Sequence, residues 1–276
     1  MGFTIAVISL AGAIALLLWG TRMVQTGVQR AFGPRLVVAL GRALRNRVMA
    51  FLAGLGVTGA LQSSTATGLM VAGFAASGAV GLVPALAVML GANVGTTLIV
   101  QLLSFDVAFV SPMLILAGFV LFRRPPGSTA HDLGRAVIGL GLMLLALRQL
   151  MELMAPLEQA PALRELLRLV SAVPLLDVLL AAVLTWAMHS SVAVVLLTMS
   201  LAGHGIVPPE GAFALVLGAN LGSSANPLLE GGGGDDPAAR RLPLGNLLNR
   251  LAGVAVALPL LPWLAGMLQG WAGDAP

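Results

Sequence analysis

Two polar runs set deep in apolar sequence constrain this chain more than any other feature. Gln62-Ser63-Ser64-Thr65-Ala66-Thr67 precedes Gly91-Ala92-Asn93-Val94-Gly95-Thr96-Thr97 within residues 48–105, a stretch without a single charge. Polar groups in lipid-soluble sequence cost free energy unless something binds them. The arrangement returns as His189-Ser190-Ser191-Val192-Ala193-Val194 and then Gly218-Ala219-Asn220-Leu221-Gly222-Ser223-Ser224. Gln62 to Gly91 is 29 positions, His189 to Gly218 is again 29, and the copies are offset by 127. Such agreement points to an internal repeat.

The solvent for which the chain is built follows from composition. Hydrophobic residues make up 58% and charged residues 9%, against about 25% charged in a soluble domain. The apolar runs recur along the chain, so a membrane protein is expected and a cleaved leader is not. Cysteine is absent, which excludes disulfides and thiolate metal sites. All 15 basic residues are Arg. They flank apolar segments and form no single face, so nucleic-acid binding is not expected.

Taken in order, residues 3–19 are long enough to span with help from their flanks. Residues 21–47 carry six Arg and no acid, and read as an amphipathic stretch on the cytoplasmic surface. Residues 48–76 are too long for one crossing and too short for two, since a span takes about 20 residues. Two half-helices meeting at the Gln-Ser-Ser turn, a re-entrant hairpin, fit the length. Spans follow at 80–103 and 107–122. In the second half, 136–154 spans and 155–171 is the counterpart of the Arg-rich stretch. Residues 175–203 form the second hairpin, 207–228 span, 230–241 form a Gly-rich loop and 242–271 are the last span.

The expected fold is therefore an all-α polytopic membrane protein of two repeats, residues 1–127 and 128–276. Each has three transmembrane helices and one re-entrant hairpin, at about 48–76 and 175–203. An odd number of crossings inverts the second repeat. The Arg residues agree: six in 21–47, then Arg123, Arg124 and Arg135, then Arg240 and Arg241, would all lie inside. Inverted repeats with broken helices are a transporter architecture with sites near the bilayer midplane.

A half-helix ending inside the membrane leaves N–H groups free at one end and C=O groups free at the other. The first suits an anion and the second a monovalent cation, while Ser, Thr, Asn and Gln serve either. No Arg stands within the motif cores, so an anion's charge is expected to be offset by co-bound cations. A sodium ion descending about 100 mV also supplies roughly 2.3 kcal/mol per charge.

The paired runs resemble the sodium/phosphate cotransporter family that includes the type II renal carriers and their bacterial relatives. The resemblance covers most of the chain and implies an inverted repeat with Gln-Ser-Ser segments at hairpin tips around a site for inorganic phosphate and sodium. Carried over by position, Gln62, Ser63, Ser64, Thr65, Ser190 and Ser191 would contact phosphate or sodium. Asn93, Thr96, Thr97, Asn220, Ser223 and Ser224 would line the same cavity. His189 stands where the family has Gln and Val192 where it has Ser or Thr. One cation site is then lost or rebuilt, and His189 either keeps a hydrogen-bonding role or titrates, making transport depend on pH. Many bacterial relatives append a soluble helical domain resembling the phosphate-uptake regulator, which the sequence to Pro276 does not contain.

Other classes compete with this reading. A single Ser-Ser pair in a membrane helix is usually structural, bonding back to a carbonyl one turn earlier; the matched second copy argues for binding. An intramembrane serine hydrolase is disfavoured, because adjacent His189 and Ser190 do not face each other on a helix and no Gly-x-Ser-x-Gly elbow occurs. Asp106 and Asp177 fall at segment ends and read as solvated, and Gly231 to Gly234 as a linker. The sequence implies a bacterial inner-membrane carrier of inorganic phosphate coupled to sodium, without cofactor or catalytic residues. A carrier of sulfate or arsenate, a non-transporting phosphate sensor and a homo-oligomer are left open.

Overall fold

A computed structural model describes residues 3–104, 110–154, 173–230 and 237–273. Every long regular element among them is an α-helix. The first five are α1 (Phe3–Ala43), α2 (Arg47–Leu61), α3 (Ser64–Ala76), α4 (Leu82–Ser104) and α5 (Val110–Phe122). Then come α6 (Thr129–Met154), α7 (Pro174–Met188), α8 (Ser191–Gly203), α9 (Pro209–Gly222) and α10 (Ala225–Glu230). A 3-10 turn, Leu258–Leu260, links α11 (Pro237–Ala257) to α12 (Leu261–Gly273). Among the described residues, five stretches are long and apolar enough to cross a bilayer: Ile8–Ala43, Leu82–Leu103, Thr129–Leu153, Pro209–Leu229 and Arg240–Met267. Large apolar side chains such as Leu116, Val183 and Val256 point outward, with well over half their surface exposed. Lipid is the solvent that such a surface requires, and helices satisfy their own backbone there. This is an integral membrane protein.

Several boundaries differ from the sequence reading. No break separates the first span from the Arg-rich stretch, because α1 runs on through Pro34 to Ala43. Thr21, where the surface stretch was expected to begin, is buried, and its hydroxyl donates to the Leu17 carbonyl at 2.9 Å. Gly27, a further turn and a half along, still abuts the backbone of α6. Tertiary contact thus carries the helix past its apolar segment. At 1.5 Å per residue it is about 60 Å long, twice the hydrocarbon core, and its Arg side chains are exposed. The last span breaks at the 3-10 turn containing Pro259, with Pro262 just beyond it; neither proline offers an N–H to continue the ladder. The span at 207–228 is interrupted at Ser223 and Ser224. Pro237, pre-set for a first helical turn, starts α11 inside the expected loop, so Arg240 and Arg241 are helical. Asp177 is not solvated: it is buried in the first turn of α7. Residues 155–171, 231–236 and 107–109, together with Asp106, lie outside the described residues.

Two close helix pairs, α2 with α4 and α7 with α9, hold the broken segments. α6 packs along α1 and α5, while α11 lies against α3, α4 and α9. Where α2 and α3 meet, the hydroxyls of Thr58 and Thr67 share a buried hydrogen bond of 2.8 Å. The positions 127 residues on are Thr185 and Val194, both buried, and Thr185 Oγ1 has no partner among the described residues. Val194→Thr restores the missing acceptor in nearly the same volume. A buried hydrogen bond is worth about 1 kcal/mol net, so the variant should melt about 2–4 °C higher in detergent. A lower melting point would mean that the two junctions pack differently.

Candidate functional site

The two breaks share one backbone geometry. Gln62 ends α2 at φ 51°, ψ 31°, and His189 ends α7 at φ 52°, ψ 27°. Among the described residues these are the two non-glycine positions with positive φ. Each is followed by an extended serine, Ser63 at φ −150° and Ser190 at φ −148°, whose hydroxyl caps the next helix. Ser63 Oγ accepts from the Ala66 N–H at 3.1 Å and Ser190 Oγ from the Ala193 N–H at 3.2 Å. An N-cap serine satisfies a backbone donor that would otherwise be orphaned, which is why the chain restarts as helix within two residues. The left-handed residue before it costs of order 1–3 kcal/mol and persists only where its surroundings over-determine it.

The sequence-derived residues separate into two groups. Asn93, Thr96 and Thr97 from α4, Ser191 from α8 and Asn220 from α9 line one cavity of about 280 Å³. Val94, Val100, Val195, Val216 and Leu217 complete its wall. Both repeat copies therefore contribute polar groups to one space of mixed wall, roomy beside the roughly 30 Å³ that a water occupies in the liquid. Thr96 and Thr97 donate to carbonyls one turn back, those of Ala92 at 3.1 Å and Asn93 at 3.3 Å. Ser223 and Ser224, expected to line the same cavity, do not: both are buried at the end of α9, where their hydroxyls bond to the carbonyls of Asn220 (3.0 Å) and Leu221 (2.6 Å).

Gln62, Ser63, Ser64, Thr65, His189 and Ser190 do not line this cavity. Ser64 and Ser190 are buried, Gln62, Ser63 and Thr65 half-buried, and His189 exposed. The Gln62 carbonyl accepts from Gln25 Nε2 at 3.4 Å, while its side-chain Oε1 is enclosed without a partner among the described residues. Val192, the second departure from the motif, is buried in an apolar cluster with Leu17 and Met143.

Sequence reasoning missed Arg250. It rises from the middle of α11, is buried to 4% exposure, and joins both motif copies. One nitrogen, Nη1, donates to the Asn220 carbonyl and to Ser223 Oγ (2.5 Å). The other, Nη2, donates to Asn93 Oδ1 at 2.5 Å. No Arg stands within the motif cores, yet this one reaches both from outside them: 157 residues separate Arg250 from Asn93, and only folding brings them together. A signal was available, since a lone ionisable residue within an apolar span marks function by default.

These features define a polytopic helical membrane protein with two matching helix breaks and a cavity lined by residues of both motif copies, backed by a buried arginine. The Na+/Pi-cotransporter family matches residues 16–152 and 154–261, and the chain belongs to that family. It is 42% identical over 265 residues, 96% of its length, to "Putative inorganic phosphate export protein YjbB" of Salmonella typhimurium. The protein of that name from Escherichia coli K12 is likewise 42% identical, over 261 residues. The chain spans about half the length of these curated relatives, 49% and 48% respectively. It is 27% identical over 270 residues to "Uncharacterized protein YqeW" of Bacillus subtilis, covering 86% of that protein. No solved structure matches it.

Proposed function

We propose that this chain is a sodium-coupled carrier of inorganic phosphate in a bacterial inner membrane. In this reading α2–α3 and α7–α8 are re-entrant pairs of two inverted halves, and the substrate passes through the cavity between Asn93, Thr96, Thr97, Ser191 and Asn220. One observation carries it: polar residues of both motif copies meet in one cavity whose wall is hydrogen-bonded to a buried arginine. Equal helix lengths, 15 and 13 residues in each copy, and the matching dihedral angles support a common origin for the halves.

The donor and acceptor sides of the cavity favour phosphate over sulfate. Thr96 and Thr97 commit their protons to the backbone, so their oxygens face a ligand as acceptors. Phosphate near neutral pH keeps an O–H to donate to them, and sulfate has none. The same oxygens suit sodium, the coupling ion of the family's name. The relatives' name favours net export. A carrier follows the sum of its gradients, so inward sodium drive opposes export unless the cytoplasmic phosphate excess exceeds it.

Proteoliposomes test the reading directly. Labelled phosphate should enter faster under an inward sodium gradient and should exchange in counterflow, with a tenfold excess of sulfate competing weakly. Thr96→Val should narrow the preference for phosphate over sulfate. Absence of counterflow would replace the carrier by a sensor.

A further inference from the structure

We propose that Arg250 is a built-in counter-charge for the oxyanion, so that phosphate binds in the cavity without a co-bound sodium ion. The inference rests on the phosphate-carrier reading and changes what sodium does in it. Among the described residues every hydrogen bond that Arg250 makes goes to a neutral oxygen: the Asn220 carbonyl, Ser223 Oγ and Asn93 Oδ1. It forms no ion pair with a carboxylate among the described residues. A guanidinium stays charged in proteins, and a buried charge is costly without an opposite charge. Among the described residues, therefore, this positive charge faces no opposite charge, one residue behind the cavity wall.

The arginine also sets the polarity of that wall. Guanidinium groups only donate, so Asn93 must turn Oδ1 toward Arg250. Its Nδ2 is left as a donor for a ligand in the cavity that Asn93 lines. Asn220, whose carbonyl Arg250 also holds, lines the same space. Charge and donors therefore converge from α11, α4 and α9 on one anion, a role otherwise left to a mobile cation. Sodium then acts in the translocation step rather than in anion capture. Because it acts through Asn93 and Asn220, Arg250 is here a positioning and charge-supplying residue.

The test is equilibrium binding of inorganic phosphate to the purified full chain in detergent, in N-methylglucamine gluconate and in sodium gluconate. Wild type should bind with dissociation constants within about threefold of each other in the two salts. Arg250→Gln should weaken sodium-free binding at least thirtyfold. Arg250→Lys, which keeps the charge and loses the fork, should weaken it less, by about tenfold. Asn93→Asp gives Arg250 a resident carboxylate, so it should abolish phosphate binding while raising the melting temperature, a pairing that damaged packing would not produce. This variant also decides the matter if Arg250→Gln fails to fold. Wild-type binding that requires sodium, or sodium-free binding unchanged in Arg250→Gln or Asn93→Asp, would overturn the proposal. Failure of wild type to bind phosphate in either salt would instead overturn the phosphate reading itself.

Discussion

Gly91→Ala should leave little folded protein. A Cβ at Gly91 would fall 1.9 Å from the Phe51 carbonyl oxygen, 2.8 Å from its carbon and 2.9 Å from the Leu55 nitrogen. All three are backbone atoms of α2, so no side chain can rotate away, and the two helices must separate. Overpacking a tight core costs about 1–3 kcal/mol and occasionally more; a clash against main chain belongs at the top of that range. Set against a typical total stability of about 5–15 kcal/mol, the loss should appear as a collapsed yield of monodisperse protein and a lower melting temperature. Gly56→Ala is the matched control in the same helix pair, because no atom lies within 4 Å of its Cβ position. That variant should be neutral or slightly stabilising, since alanine orders a helix at less entropic cost. Equal behaviour of the two variants would mean that α2 and α4 are not in the contact described. Gly218, whose Cβ would meet the Val178 oxygen at 2.2 Å, plays the same part between α7 and α9.

Asn220→Asp should reduce phosphate flux by about three orders of magnitude without unfolding the protein. Asn220 faces the cavity, and its carbonyl is tied to Arg250. A carboxylate there opposes the oxyanion in two ways, by direct repulsion and by neutralising Arg250. Two unit charges about 4 Å apart interact with about 4 kcal/mol at an effective dielectric constant near 20, and each 1.4 kcal/mol is a tenfold change. Asn220→Ala removes a donor without adding charge, so its loss should be nearer tenfold. Initial rates of labelled phosphate entry into proteoliposomes, with melting temperature as the check on folding, separate the two variants. Wild-type flux in Asn220→Asp would mean that the anion travels elsewhere.

The repeat explains why so much was legible beforehand. Polar residues appear twice at one spacing in otherwise apolar sequence, and lipid leaves few structures open to such segments. The helix breaks fall at Gln62 and His189 because a capping serine follows each. Helix ends set by long-range packing were harder to read. Gly20 and Gly27 seat α1 against α6 beyond its apolar segment, and those contacts leave no mark in the local pattern. Asp177 looked solvated by its place in the chain, yet the helices packed around it bury it.

By itself, the sequence determined the solvent, the helical class, the two breaks and the polar residues of the candidate site, because these depend on composition and on spacing along one chain. Only the tertiary structure decided which of those residues share a space, putting Asn93 and Thr96 beside Ser191 and Asn220 and leaving Gln62 and His189 outside it. It alone brought Arg250 to both motifs. The physical reason is distance along the chain: periodicity encodes neighbours a turn or two away, whereas a charge in α11 meets α4 only after several helices have packed.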